Sequence, residues 1–143
     1  MEKMIFVNLP VSDLPRSIAF YEAVGATKDP RFCDETCAMM SFSGQIHAMI
    51  MTHARFNGFT SRKIVDAHTS AQVLLCLSAE SRDAVDATIA RAVAAGAVGD
   101  PDPKEDHGWM YGRSFADPDG HIWEFSWMDV EAAMAAQGAS SAA

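Results

Sequence analysis

The chain has 143 residues and a mass of 15.5 kDa, with 49% hydrophobic and 21% charged residues, which fits one globular domain with a core of its own. A formal net charge of −8 and a pI near 4.9 argue against nucleic acid or an anionic membrane surface as a partner and favour a cationic ligand. Cys33, Cys37 and Cys76 are an odd set without metal-site spacing, and no apolar run approaches the roughly 18 residues of a membrane span, so a reducing cytoplasm is the expected home.

The first element is a strand over residues 4–11, M-I-F-V-N-L-P-V, in which Phe6 and Asn8 share one face. A helix follows. Ser12 or Asp13 is its N-cap, Pro15 is tolerated in the first turn, Leu14, Ile18 and Tyr21 line one side, and Gly25 fits the left-handed stop position. Three strand-like runs come next, over 27–33, 37–42 and 46–52, broken at Asp34-Glu35 and Ser43-Gly44. The last of these places His47, Met49, Met51 and His53 on one parity. Residues 53–71 carry scattered Phe56, Phe59, Ile64 and Val65 without a sustained period, as expected of a connector with a single helical turn laid over a cavity mouth.

The same grammar then repeats. A strand over 72–78 feeds a helix capped by Ser81, with Asp83 complementing its dipole, Val85, Ile89 and Val93 on one side and Gly96 at its stop. Strands are expected over 97–100, 109–116 and 121–127. The chain is therefore read as two βαβββ units in one domain over 1–130, with units over 4–53 and 72–128, and an alanine-rich tail over 131–143 that forms a short helix fraying into disorder.

The densest signal is the stretch Asp117-Pro118-Asp119-Gly120 running into H-I-W-E-F-S-W. A tight turn joins two strands, and the period of two puts Trp123, Phe125 and Trp127 on a core face and Ile122, Glu124 and Ser126 on the other. Two registers are open. With Gly120 as the left-handed residue of a bulged turn, Ser114 faces Glu124; without the bulge, Arg113 faces it as an ion pair. The bulged form is preferred because it gives Gly120 a reason to be glycine.

The motifs V-x-D-L-x-x-S-I-x-F-Y-x-x-x-G, from Val11 to Gly25, and D-P-D-G-x-x-x-E, from Asp117 to Glu124, resemble the vicinal oxygen chelate superfamily of glyoxalase I, bleomycin- and fosfomycin-resistance proteins and extradiol dioxygenases. The resemblance spans roughly residues 4–128. It implies an α+β fold in which two βαβββ modules with curved mixed sheets enclose a cavity, usually in a homodimer. It also implies metal positions on the first, fourth and fifth strands and at Glu124. Here the first-strand position is Phe6, which cannot ligate; His47 is the fourth-strand candidate, weighed against a histidine satisfied within its sheet; and Gln72 is the nearest polar residue on the fifth strand.

Two functions from different classes follow. In the first, the chain binds a small molecule without the full family metal site, in an apolar pocket of Phe6, Met49 and Met51 oriented by Asn8, Ser114, Ser126 and Glu124, and needs no cofactor. In the second, Glu124 and His47 ligate a divalent metal in a lyase, isomerase or dioxygenase, with Glu124 the catalytic group. A non-catalytic dimer whose cavity or sheet edges serve protein contacts is the third reading.

Overall fold

The computed structural model describes residues 1–142, and side chains through residue 138. Its elements in chain order are β1 (Ile5–Val11), α1 (Leu14–Ala23), β2 (Thr27–Cys33), β3 (Cys37–Ser41), β4 (Ile46–Thr52), α2 (His53–Asn57), β5 (Leu75–Ser78), α3 (Arg82–Ala94), β6 (Val98–Gly99), β7 (Glu105–Asp106), β8 (Met110–Ala116), β9 (Ile122–Met128) and α4 (Val130–Ala142). The strands form two curved mixed sheets of equivalent order, β1-β4-β3-β2 and β5-β9-β8-β6, with the short β7 also paired to β8. In each, the strand before the long helix runs parallel to the last strand of its unit, β1 beside β4 and β5 beside β9. Neither sheet closes on itself.

The helix signals act locally as expected. The Asp13 carboxylate accepts from the Arg16 amide at 3.1 Å, and the Ser81 hydroxyl accepts from the Ala84 amide at 3.0 Å, each meeting a donor the first helical turn leaves unpartnered. Gly25 and Gly96 stop the helices at φ +107° and +109°. The buried sides differ in detail from the expected stripes. Along α1 it is Leu14, Ser17, Phe20 and Tyr21; along α3 it is Val85, Thr88, Ile89 and Ala92, whereas Val93 is half exposed because the tip of the helix overhangs the two-residue β6.

Strand ends also move. The strand over 72–78 begins only at Leu75, because Val73 and Leu74 find no partner strand and stand 60% and 57% exposed. The strand over 97–100 shortens to Val98–Gly99, while β7, polar and without strand propensity, forms against Tyr111 and Gly112 of β8. The tail is helical from Val130, opened by the Asp129 carboxylate accepting from the Ala132 amide at 3.1 Å, and Ala143 lies outside the described residues.

At the β8–β9 hairpin the bulged register holds, with Ser114 opposite Glu124. The Asp117 amide donates to the His121 carbonyl at 2.8 Å, the Gly120 amide donates to the Asp117 carbonyl at 2.9 Å, and Gly120 takes φ +92°. Space gives Gly120 a second reason. A Cβ there would stand 2.6 Å from the His68 amide nitrogen, so the connector backbone lies directly on the turn.

One core unites the two sheets and both long helices, with Phe20, Tyr21, Phe115 and Trp123 among its largest fully buried members. The turn reaches across to it. Tyr21 Oη donates to one Asp117 carboxylate oxygen, and Trp123 Nε1 donates to Tyr21 Oη at 3.0 Å. The other Asp117 oxygen accepts from the Asp119 and His121 amides at 2.9 and 2.8 Å. Asp119 in turn accepts from the Ser12 amide and hydroxyl at 2.9 and 2.7 Å, and His121 Nε2 donates to the Pro10 carbonyl at 2.8 Å. The turn thus clamps the β1–α1 junction. Asp117 is 3% exposed, and burial pushes its carboxyl up from the usual value, while burial and the adjacent Asp117 charge push the Tyr21 phenol well up.

Replacing Tyr21 by Phe leaves the Asp117 carboxylate and the Trp123 N–H short of a partner, and urea unfolding should show a loss of about 1–3 kcal/mol with an unchanged m-value. Asp117 also has a pH signature. Its folded pKa is raised above 3.8, so the folded state holds the proton more tightly and the wild-type stability relative to Asp117→Asn falls as pH rises from about 4 through the raised value. A difference that stays flat with pH would show that Asp117 is not desolvated.

Candidate functional site

Each sheet turns one face to the shared core and leaves the other open. On the first sheet the alternation that buries Leu9, Val11, Ala48 and Ile50 against α1 sends Phe6 and Asn8 of β1 and His47, Met49 and Met51 of β4 to the open face. Register places Phe6 beside His47 and Asn8 beside Met49, with Met39 of β3 next across from Met49. Met39 and Met51 are buried, Met49 is half-buried, and Phe6 and Asn8 are exposed, which leaves a methionine wall with an aromatic lip. Thioether side chains fit irregular apolar guests because they are unbranched and polarizable.

His47 is the anchor of this face. It is 5% exposed, and Phe6 stacks on it with ring centroids 5.0 Å apart and planes at 17°. Its Nε2 lies 3.2 Å from the Gly44 carbonyl, which can only accept, so Nε2 carries the proton; Nδ1 then accepts from Ser41 Oγ at 2.7 Å. Both ring nitrogens are engaged.

On the second sheet the open face carries Glu124 and Ser126 of β9, Ser114 of β8 and Cys76 of β5. Glu124 stands between Ser114 and Cys76 in register, half exposed, while Tyr111, Arg113 and Phe115 take the opposite side of β8. There Arg113 is held by both oxygens of Asp100, at 3.0 and 2.6 Å, and by Asp86 at 2.8 Å, which lifts its guanidinium further above its usual value; Arg113 holds the Asp100 carboxyl below its usual value, and the Tyr111 hydroxyl together with Arg113 holds Asp86 below its own. Arg113 is therefore no partner for Glu124. Gly112, two residues before Ser114, leaves room for Ser126 Oγ, which would lie 3.0 Å from a Cβ at that position.

The expected site residues thus form two groups. Phe6, Asn8, His47, Met49 and Met51 share one sheet face and Ser114, Glu124 and Ser126 share the other, and among the described residues no hydrogen bond joins the groups. A family-type metal does not fit this donor set. Phe6 has no lone pair, His47 has both nitrogens committed, and the β5 residue in register with Glu124 is Cys76, since Gln72 precedes the strand. Among the described residues no three His, Cys, Asp or Glu side chains are grouped to hold an ion.

A cavity of about 650 Å³ lies between the β1 edge, the start of β9 and the connector, and is reached on β9 by Ile122, which shares the face of Glu124. Leu9, Ile64, Leu75 and Ile122 line it, together with Gln72; Phe6, Asn8, His47, Met49, Met51, Ser114, Glu124 and Ser126 do not. The aperiodic apolar residues of the connector, Ile64 and Val65, were its sequence signal.

Comparison with known proteins places these features. The family described as Glyoxalase/Bleomycin resistance protein/Dioxygenase superfamily matches residues 3–125. No curated protein matches the chain. Among solved structures, a hypothetical protein from S. aureus is 24% identical, with a TM-score of 0.74 over 89% of this chain and 95% of that one. A glyoxalase/bleomycin resistance protein/dioxygenase family enzyme from Burkholderia phytofirmans PsJN is 20% identical, with a TM-score of 0.72 over 89% and 99%. TnmS3, an antibiotic binding protein from Streptomyces sp. CB03234, is 19% identical, with a TM-score of 0.61 over 90% and 98%. At these identities the likeness establishes the fold.

The engaged imidazole has a direct readout. Nitrogen NMR should find His47 in the Nε2-protonated form, unmoved by added Zn²⁺ or Mn²⁺, and Ser41→Ala should cost about 1 kcal/mol by removing the donor to Nδ1. Metal-dependent movement of both ring nitrogens would overturn this arrangement.

Proposed function

The chain belongs to the glyoxalase/bleomycin resistance protein/dioxygenase superfamily, and from that premise we propose that it binds a small molecule between its open sheet faces without the metal chemistry of its enzymic relatives. The observation that carries the reading is the His47 side chain, whose two nitrogens serve Ser41 and Gly44 and whose face serves Phe6. It supports an apolar wall where a metal ligand would otherwise stand. Met49, backed by the buried Met39 and Met51, supplies an adaptable thioether contact, Asn8 a neutral donor and acceptor, and Ser114, Ser126 and Glu124 the polar groups that orient the guest. TnmS3, of the same fold, is an antibiotic binding protein, so the fold accommodates a guest held by binding. The alternative, a metal-dependent lyase, isomerase or dioxygenase using Glu124 and His47, would have to dismantle the His47 contacts first.

The two faces belong to different sheets, so a working pocket needs them opposed, and a homodimer is the proposed means. Apolar residues at the free edges support it: Ile5 and Phe6 on β1 are 55% and 48% exposed, and Phe59 after α2 is 67% exposed. Among the described residues no helix is long and apolar enough to cross a membrane, and the three cysteines are free, in keeping with the proposed cytoplasmic setting.

The test uses protein labelled at the methionine methyl groups. Titration with bleomycin, a cationic and partly planar guest, should shift the Met39, Met49 and Met51 resonances at micromolar protein, with a sedimenting mass twice 15.5 kDa. Glu124→Gln should weaken binding by up to about fivefold, the range of a partly exposed charge pair. Shifts confined to other methionines, or metal-dependent turnover of the guest, would defeat the binding reading.

A further inference from the structure

The cavity beneath the connector is charged against the trend of the molecule. The chain carries 19 acidic residues against 11 basic ones, yet no Asp or Glu lines this cavity, while Arg62 and Lys63 both do. Among the described residues neither takes part in an ion pair, as is also true of Lys3, Lys28, Arg91 and Lys104. Asp66, close by in the connector, accepts from the His68 amide at 2.9 Å, and with Asp119, which is held by Ser12, it lines an adjoining hollow that shares Ile64, Val65 and His121 with this cavity. The third candidate cation, His121, is used up on the Pro10 carbonyl.

The rest of the cavity is mainly apolar, with Thr60, Ser70 and Gln72 as its further polar lining. Leu9, Leu75 and Ile122 come from strands of both sheets, and Ile64 and Val65 face them from the connector. The connector is seated on the turn at Gly120, where only a missing side chain allows its backbone to come so close. A volume of about 650 Å³ falls within the range of roughly 300–1,000 Å³ typical of small-molecule pockets. An apolar trough with two unengaged cations at its rim is complementary to one class of guest: an apolar body ending in a single negative charge.

We propose that the trough between β1, β9 and the connector is a second ligand site, separate from the open sheet faces, that takes an amphipathic monoanion with its hydrocarbon on Leu9, Leu75 and Ile122 and its carboxylate or sulfonate at Arg62 and Lys63. The ligand charge is opposite to the one the overall acidity of the chain suggests. The site does not rest on the sheet-face reading.

The probes are decanoate, decanol and decylamine below their micellar concentrations, titrated by calorimetry and by displacement of anilinonaphthalene sulfonate. One decanoate should bind per chain, about tenfold more tightly than decanol, with decylamine weakest. The double change Arg62→Gln/Lys63→Gln, at exposed positions that leave the core untouched, should weaken decanoate about tenfold and leave decanol unaltered. Ile122→Ala should weaken both decanoate and decanol. Glu124→Gln should leave decanoate unaltered, which separates this site from the sheet faces. Equal affinity for decanoate and decanol, indifference to the double change, loss of decanoate binding in Glu124→Gln, or a second copy of the chain covering the trough so that no probe binds would each overturn the proposal.

Discussion

A buried carboxylate joins the two halves of this fold. Asp117 accepts from Tyr21 Oη on one oxygen and from the Asp119 and His121 amides on the other, and Trp123 completes the chain by donating to the same tyrosine. Burial raises the cost of the charge, and full satisfaction of its lone pairs is what keeps that cost tolerable. Every partner fixes a different element: Tyr21 belongs to α1, Trp123 to β9, and the two amides to the turn. Asp119 and His121 extend the same clamp to Ser12 and Pro10 at the end of β1. The relation between the first sheet and the second therefore depends on a turn that looks, in isolation, like a simple chain reversal.

The clamp has consequences for chemistry. Both sheets are seated on one core through their helix-side faces, so Glu124 and the His47–Met49–Met51 row stand on the other faces of different sheets. The clamp also draws the connector across the junction, with Ala67 and His68 against Gly120, and the trough beneath the connector exists because of that seating.

The imidazole of His47 decides between the chemistries the fold can host. A ligating histidine needs one nitrogen free and the other held by an outer partner. In His47 the Ser41 hydroxyl and the Gly44 carbonyl take one nitrogen each, and the aromatic ring of Phe6 covers its face. Phe6, which has no lone pair to offer a metal, is also the ring that packs on His47.

Much of this was legible in the chain itself. Asp13 and Ser81 announce the helix starts and Gly25 and Gly96 the stops, because capping is a local exchange of hydrogen bonds within a few residues. The period of two through Trp123, Glu124 and Phe125 assigns their faces, and Gly120 alone selects the register that puts Ser114 opposite Glu124. Other features could not be read. Asp117 and Asp119 show themselves in sequence only as turn residues, since their partners Tyr21 and Ser12 lie about a hundred positions away. The commitment of both His47 nitrogens, the pairing of β7, the exposure of Val93 and the cationic trough likewise depend on contacts between distant segments. Sequence determined the local geometry, because it arises from neighbours along the chain; only the tertiary structure decided which polar groups are already satisfied and which faces remain open, because burial and hydrogen-bond supply are properties of the assembled core.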